Sequence, residues 1–127
     1  MGYSTDFRGT LEFTHELTAS QLAYLNIILG EDCREHPEWQ ADINAVSDHK
    51  LDYIDLELAT DFSGIRWNGA EKTYSMTECV NLIIRLMQKR WPDFGLEGKL
   101  EAQGEDWDDR WFLVVDGGTA TREDSLS

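Results

Sequence analysis

The segment SMTECVNLIIRLMQKRWP, residues 75–92, carries the longest amphipathic pattern of this chain. Its apolar side chains recur at helical spacing: Val80, Ile83, Ile84, Met87 and Trp91. Such a stripe predicts a helix near 76–91 that buries one whole face. Ser75 and Glu78 have the spacing of a capping box at its start, and Pro92 stops it. A helix this apolar needs a large partner surface, so a sheet is expected elsewhere.

A second helix is predicted near 19–29, upstream of that segment. Thr18 and Gln21 form the pattern of another capping box. Leu22, Leu25 and Leu29 continue an apolar stripe, and Gly30 is placed to end the helix in a left-handed conformation.

Strands are predicted wherever apolar and polar residues alternate, namely at 7–13, 53–58, 64–67, 94–102 and 110–115, with a further short strand at 119–121. We therefore expect one α+β domain over 1–127, with an antiparallel sheet of about five strands and two main helices on one face. This is a ferredoxin-like split βαβ layout with an added C-terminal strand. Residues 31–50 are expected to be an irregular acidic excursion with a short helix, and 122–127 a frayed tail.

Acidic residues dominate the charge of this chain. It has 25 Asp and Glu against 11 Lys and Arg, a formal net charge of -14. Ten acidic and two basic residues lie between Glu31 and Asp61, and seven acidic residues and one basic residue between Asp93 and Asp109. Such a surface repels phosphate, so we expect neither nucleic acid nor an anionic membrane as a partner. It suits a basic patch on another macromolecule, or a cation.

The remaining sequence features indicate an intracellular protein. No apolar run is long enough to cross a membrane, and the N-terminus lacks the pattern of a secretory signal. Cys33 and Cys79 stand in unlike contexts, and Cys79 lies in an apolar helical run, as expected for a buried free thiol. A reducing cytoplasm fits two such thiols best, although a disulfide between them stays open.

The loop Glu105, Asp106, Trp107, Asp108 and Asp109 is the sharpest chemical feature. Its four carboxylates lack the spacing of a calcium loop, so we expect a solvated hairpin tip and no bound metal or cofactor. A Trp among exposed acids is typical of a binding hot spot for a basic surface. Trp39 in the acidic excursion is a second candidate anchor.

Several stretches of the chain resemble small acidic proteins encoded by tailed phages and prophages, whose activity is uncharacterised. The opening GYSTDFRG, residues 2–9, is similar to their GYxTDFxG start. The C-terminal half has a similar pattern, carried by Trp67, residues 91–94, Gly98, residues 103–105 and residues 109–111. The resemblance implies a phage-related accessory protein of the host cytoplasm and implies no functional residue.

Catalytic and metal-binding alternatives have weaker support in the sequence. A carboxylate-metal hydrolase would need convergence of acids such as Asp6, Asp55, Glu57 and Glu101. A zinc site would combine lone residues, Cys33, His36, His49 and Cys79, without a second close pair. No motif of nucleophilic catalysis is present, so no catalytic residue is assigned.

The sequence thus favours a binding protein that is not an enzyme. It would bind a basic surface of a host or phage protein through residues 105–109 and Trp39, and could block defence machinery that acts on nucleic acid. A minor structural or assembly component of a virion is the alternative, and the hydrolase is a weaker one. The partner and the oligomeric state are left open.

Overall fold

The computed structural model describes residues 3–116 and 118–124 of the chain. In these ranges it contains seven strands, three α-helices and two 3-10 turns. The strands are β1 Thr5–Arg8, β2 Leu11–Phe13, β3 Leu56–Leu58, β4 Gly64–Trp67, β5 Leu96–Gly104, β6 Arg110–Asp116 and β7 Thr119–Glu123. The helices are α1 Ala19–Ile28, α2 Gln40–Val46 and α3 Met76–Gln88, and the 3-10 turns are Cys33–Glu35 and Pro37–Trp39.

All seven strands belong to one antiparallel sheet. The order is β3-β4-β2-β5-β6-β7, and β1 pairs with β5 beyond the end of β2. The α+β class and the antiparallel sheet are confirmed. The expected number of about five strands is too low, because the first predicted strand is interrupted and β7 is a full five-residue strand.

β1 and β2 are two parts of one strand that is interrupted at Gly9. The register against β5 is the same on both sides, since Arg8 lies opposite Glu101 and Leu11 lies opposite Gly98. Gly9 has φ +112°, a left-handed backbone that favours glycine. The interruption therefore changes the local direction of the strand and leaves its pairing register intact.

One face of the sheet is buried under the helices. Leu11, Leu100 and Leu113 are completely buried on that face, while the alternate residues Glu12 and Lys99 are exposed. α3 packs against β7 and against α2, and its apolar stripe is buried along the whole helix. This face holds the core of the domain.

The two helix starts differ from each other. Thr18 and Gln21 form the predicted capping box of α1, with Gln21 N–H donating to Thr18 Oγ1 at 3.2 Å and Thr18 N–H to Gln21 Oε1 at 2.8 Å. The predicted box of α3 is wrong. Ser75 has φ +59° and makes no side-chain cap, because its hydroxyl is paired with His49 instead.

Three boundaries also differ from expectation. α3 ends at Gln88, although Trp91 N–H still donates to the carbonyl of Met87 at 2.8 Å. Residues 31–50 hold the expected short helix, α2, and are less irregular than expected because both 3-10 turns precede it. Of the predicted tail, Arg122 and Glu123 belong to β7 because they pair with β6, and residues 125–127 lie outside the described ranges. Within those ranges, no helix has the length and apolarity needed to cross a bilayer.

Candidate functional site

The acidic loop 105–109 joins β5 to β6 and is closed by backbone hydrogen bonds. Gly104 N–H donates to the carbonyl of Asp109 at 2.8 Å, and Asp109 N–H donates to that of Asp106 at 3.0 Å. The side-chain amide of Gln103 donates inward to the carbonyl of Asp106 at 3.0 Å. The loop is therefore a hydrogen-bonded turn with a defined shape.

Tyr3 ties this loop to the N-terminal segment. Its hydroxyl donates to Asp109 Oδ2 at 2.7 Å and accepts from Asp106 N–H at 3.1 Å. The bond from Asp106 would lower the pKa of Tyr3, but the bond to Asp109 and burial raise that pKa overall. Gly104 makes this approach possible, since a Cβ there would lie 2.4 Å from the Tyr3 hydroxyl.

Trp107 lies at the tip of the loop with 89% of its surface exposed. The flanking residues Glu105, Asp106 and Asp108 are exposed too, and Asp109 is half-buried by its bond to Tyr3. The carboxylates of Asp106 and Asp108 accept no hydrogen bond from any side chain or amide of the described chain. An apolar ring and unpaired carboxylates are thus presented together to solvent.

Trp39, the second predicted anchor, is not exposed. It retains only 7% of its surface and belongs to the core cluster. The ring of His36 stacks on it at 3.9 Å between centroids, and His36 is held by Glu31 and Glu38 at 2.9 and 2.8 Å. The turn Pro37–Trp39 directs the indole inward, so Trp39 is withdrawn as a binding residue.

A cleft of about 490 Å³ lies beside the loop, between β1, β6 and the start of α3. We call it the Tyr3–Tyr74 cleft. Its principal lining side chains are Tyr3, Tyr74, Trp111, Glu78, Asp109 and Arg122. Tyr74 is 52% exposed and lies between Lys72 and Ser75, two residues with left-handed backbones. Such strained positions cluster at functional segments.

The acids proposed for a hydrolase are not brought together. Glu57 lies on β3 and pairs with Arg66 at 2.9 Å, while Glu101 lies on β5, three positions away in the sheet, and pairs with Arg110. Asp6 lies opposite Gln103, and burial raises the pKa of Asp55 above its ordinary value. Among the described residues, no group of three or more His, Cys, Asp or Glu side chains could hold a metal ion.

The candidate zinc ligands have other roles in the fold. Cys33 and Cys79 are buried free thiols. Burial raises the pKa of Cys33 to about 11 and raises the pKa of Cys79 further above its ordinary range. Both thiols are therefore protonated at neutral pH and are poor nucleophiles.

Asp48, His49 and Ser75 form a chain that the sequence does not suggest. His49 Nε2 and Ser75 Oγ are 2.8 Å apart, and His49 Nδ1 and Asp48 Oδ1 are 3.0 Å apart. The Asp48 side chain is 100% exposed, whereas the acid of a catalytic triad is buried so that it can fix the imidazole. This arrangement closes the start of α3 and is not a built catalytic site.

The basic side chains at the C-terminal end of α3 pair with an acidic residue of segment 31–50. Arg85 Nε donates to Asp42 Oδ1 at 2.8 Å, and Lys89 Nζ donates to Asp42 Oδ2 at 2.9 Å. In the folded chain they pair with Asp42.

Two residues of the candidate site were not found by sequence reasoning. Tyr3 and Tyr74 lie 71 positions apart in the sequence and line the same cleft only because β1 and the start of α3 border it. The signal present was weak, namely two tyrosines in polar surroundings.

No family model, curated protein or solved structure matches this chain. The likeness to phage proteins is thus carried by the quoted residues alone. Function is argued below from the geometry of the loop and the cleft.

Proposed function

We propose that this chain is a binding protein that docks on a basic surface of another protein through loop 105–109. The observation that carries the proposal is Trp107, 89% exposed on a loop to which the Gln103 amide and the Tyr3 hydroxyl donate hydrogen bonds. Among the described residues Trp107 is the most exposed of the large hydrophobic side chains, and a Trp that becomes buried on binding is a frequent source of binding energy at interfaces. Because the loop is already ordered, little conformational entropy is lost when it binds.

The surrounding carboxylates support a basic partner. A net charge of -14 attracts cationic patches over a long range and speeds encounter, while it adds little net affinity. The acids Glu105, Asp106 and Asp108 surround Trp107, so the charged rim and the apolar anchor would meet the same surface.

The biological setting is part of the proposal and follows the likeness to phage proteins. The chain would be a phage-related accessory protein that acts in the host cytoplasm on a host or phage protein. A partner that normally binds nucleic acid would be blocked by carboxylates placed where phosphates bind. A role in virion assembly is the alternative, and it rests on the resemblance only.

The strand order supports a finer description of the fold, which we propose as well. The order β3-β4-β2-β5 with antiparallel neighbours is that of a ferredoxin-like split βαβ unit, to which β6 and β7 are added. Nuclear Overhauser contacts from β2 to both β4 and β5 in solution would test it, and contacts to only one of them would exclude it.

The test of function separates the contribution of the Trp107 ring to binding from that of the surrounding carboxylates. The immobilised protein is used to capture proteins from bacterial cytoplasm, and a captured basic protein is then studied by surface plasmon resonance. We expect Trp107→Ala to speed dissociation, with a loss of about 2 kcal/mol or more in binding free energy. Phe62→Ala, which removes an aromatic ring 59% exposed at the β3–β4 hairpin, is the matched control and should change nothing.

Reversal of the charges in loop 105–109 should change the rate of association with the partner, not the rate of dissociation. Asp106→Lys with Asp108→Lys should slow association and flatten its salt dependence. Asp109 is left intact because its carboxylate holds Tyr3. The exposed acids Asp93 and Asp116, reversed in the same way, control for net charge. Equal binding of wild type and Trp107→Ala, or binding independent of salt, would contradict the proposal.

A further inference from the structure

The Tyr3–Tyr74 cleft has the composition of a site for an organic cation. Tyr3 and Tyr74 are exposed rings at its walls, and Trp111 packs edge-on against Phe7 at 5.8 Å between centroids. Aromatic faces attract cations through their negative π-surfaces. Two carboxylates, Glu78 and Asp109, line the same cleft.

One cation of the chain already uses this cleft. The guanidinium of Arg122 lies 4.3 Å from the centre of the Trp111 ring, the shortest cation–π distance among the described residues. Among residues 3–116 and 118–124, its only other side-chain partner is Asp124, with 3.3 Å between Arg122 Nε and Asp124 Oδ1, and the Arg122 side chain is 54% exposed. An exposed pair of this kind contributes little, so the arginine is weakly fixed on the ring.

The charge of the cleft leaves room for a second cation. The two negative charges of Glu78 and Asp109 exceed the one positive charge of Arg122. The exposed acids of loop 105–109 lie directly next to Asp109. A cleft that stacks one guanidinium and retains uncompensated carboxylates is complementary to another guanidinium. It is poorly suited to an anion, which those carboxylates would repel.

We propose that the Tyr3–Tyr74 cleft binds an arginine side chain of the basic partner, and that Arg122 is an intramolecular competitor for the face of Trp111. The inference rests on the proposed function, since Tyr3 and Asp109 belong both to the cleft and to the network that holds loop 105–109. Because Asp109 belongs to both, a partner bound along loop 105–109 would reach the border of the cleft. Arginine is favoured over lysine because the planar guanidinium stacks on rings and pairs with carboxylates in two-point geometry.

The experiment uses a blocked Gly-Arg-Gly tripeptide as the probe. It is titrated into the isotope-labelled full chain, and amide and indole shifts are followed by NMR. We expect saturable shifts at Tyr74, Glu78 and Trp111 and weaker binding of Gly-Lys-Gly. Arg122→Gln should tighten binding of the arginine peptide by about two- to fivefold, because it frees the ring and removes a like charge. Tyr74→Ala should weaken it by a similar factor.

Two matched controls make this specific. Arg110→Gln removes the same charge from β6, but Arg110 pairs with Glu101 and does not line the cleft, so binding should change much less than with Arg122→Gln. Tyr53→Ala removes a tyrosine outside the cleft whose exposure, 51%, is close to the 52% of Tyr74, and it should have no effect.

Three outcomes would overturn the inference. In the first, Arg122→Gln weakens binding of the arginine tripeptide, or changes it no more than Arg110→Gln does. In the second, the lysine and arginine peptides bind equally well. In the third, the NMR shifts are confined to loop 105–109. Trp107→Ala should leave tripeptide binding intact. Failure of the cleft and failure of the loop as a docking site are therefore distinguishable.

Discussion

Asp42 is a buried carboxylate in α2 whose two oxygens are bound by two different cations, one in the last turn of α3 and one directly after it. Its side chain is only 4% exposed, while those of Arg85 and Lys89 are 49% and 59% exposed. Burial would raise the pKa of Asp42, but the hydrogen bonds from Lys89 and Arg85 outweigh it and lower that pKa overall. The charged form is thus the one that stabilises the fold.

Replacement of Asp42 by Asn should lower the free energy of unfolding by about 1–3 kcal/mol at pH 7. The two cations stay partly hydrated, so the loss should remain below that of a fully buried ion pair. Because the folded-state pKa is depressed, this stabilisation is complete above the ordinary Asp pKa of about 4 and is lost as pH falls through the folded-state value. Urea unfolding at pH 7 and pH 3 should show the difference from wild type shrinking in acid.

Asp93→Asn is the matched control for Asp42→Asn, because Asp93 is exposed. It should cost less than about 0.5 kcal/mol at pH 7. A difference between wild type and Asp42→Asn that grows in acid would contradict the assignment.

Single residues show where sequence reasoning reaches its limit. The box at Thr18 was predictable because both partners lie within three positions of each other. Ser75 has the same local pattern, but His49 competes for its hydroxyl from 26 positions away. Trp39 lies in an acidic segment, yet it is buried because the segment folds onto α3. Long-range contacts decided both outcomes, and local sequence does not contain them.

At the scale of elements, the interruption between β1 and β2 depends on Gly9. A Cβ at this position would lie 2.8 Å from the carbonyl oxygen of Lys99, and the backbone has φ +112°. Gly9→Ala should therefore lower the free energy of unfolding by about 1–2 kcal/mol through backbone strain at a positive φ. The clash with the Lys99 carbonyl should lower it further. We expect a loss of about 3 kcal/mol, measured by urea unfolding.

Gly30→Ala separates the two contributions. Gly30 also has a positive φ, +81°, but a Cβ there would meet nothing within 4 Å. It should therefore cost only the backbone strain. Equal losses for Gly9→Ala and Gly30→Ala would show that the contact with Lys99 is relieved by small shifts of the strands.

The elements themselves were largely predictable, and their edges less so. α1 begins at its predicted cap, but it buries Gln21, Leu25 and Ile28, and of the predicted stripe Leu22 and Leu29 are only half-buried. α3 follows from an apolar stripe that is buried along the whole helix. The alternating strands follow for the same reason, since one face of the sheet is covered. β7 was harder to predict, because Thr119–Glu123 contains one buried side chain, Ala120, and owes its form to pairing with β6.

For the whole molecule, charge repulsion is the property with a measurable consequence. With a formal charge of -14, the folded chain repels itself, and its exposed ion pairs compensate little. Sodium chloride raised from 0.01 to 0.15 M shortens the screening length from about 30 to 8 Å. We expect a gain in Tm of about 3–6 °C in a thermal melt.

Divalent cations test the same point for loop 105–109. Calcium or magnesium chloride at matched ionic strength should raise Tm no further than sodium chloride does, since the loop lacks the spacing of a calcium site. A clearly larger rise with either ion would show that its carboxylates converge on a metal. A Tm that does not respond to salt would instead refute the role of repulsion.

The candidate site was predictable only in part. The loop 105–109 could be found from its composition alone, and Trp107 is exposed as expected. The cleft beside it could not be found, since residues from β1, α3, β6 and β7 contribute to it. A site assembled from four elements can be recognised only once the topology of the fold is known.

The two buried cysteines report how often the folded chain opens transiently. Because Cys33 and Cys79 are shielded and protonated in the closed fold, an alkylating reagent can reach them only during transient excursions. Cys33 lies in the first 3-10 turn of segment 31–50 and Cys79 lies in α3. Their separate modification rates, measured by mass spectrometry, therefore compare how often each region opens. A cysteine introduced on the surface would meanwhile react alone and carry a single label.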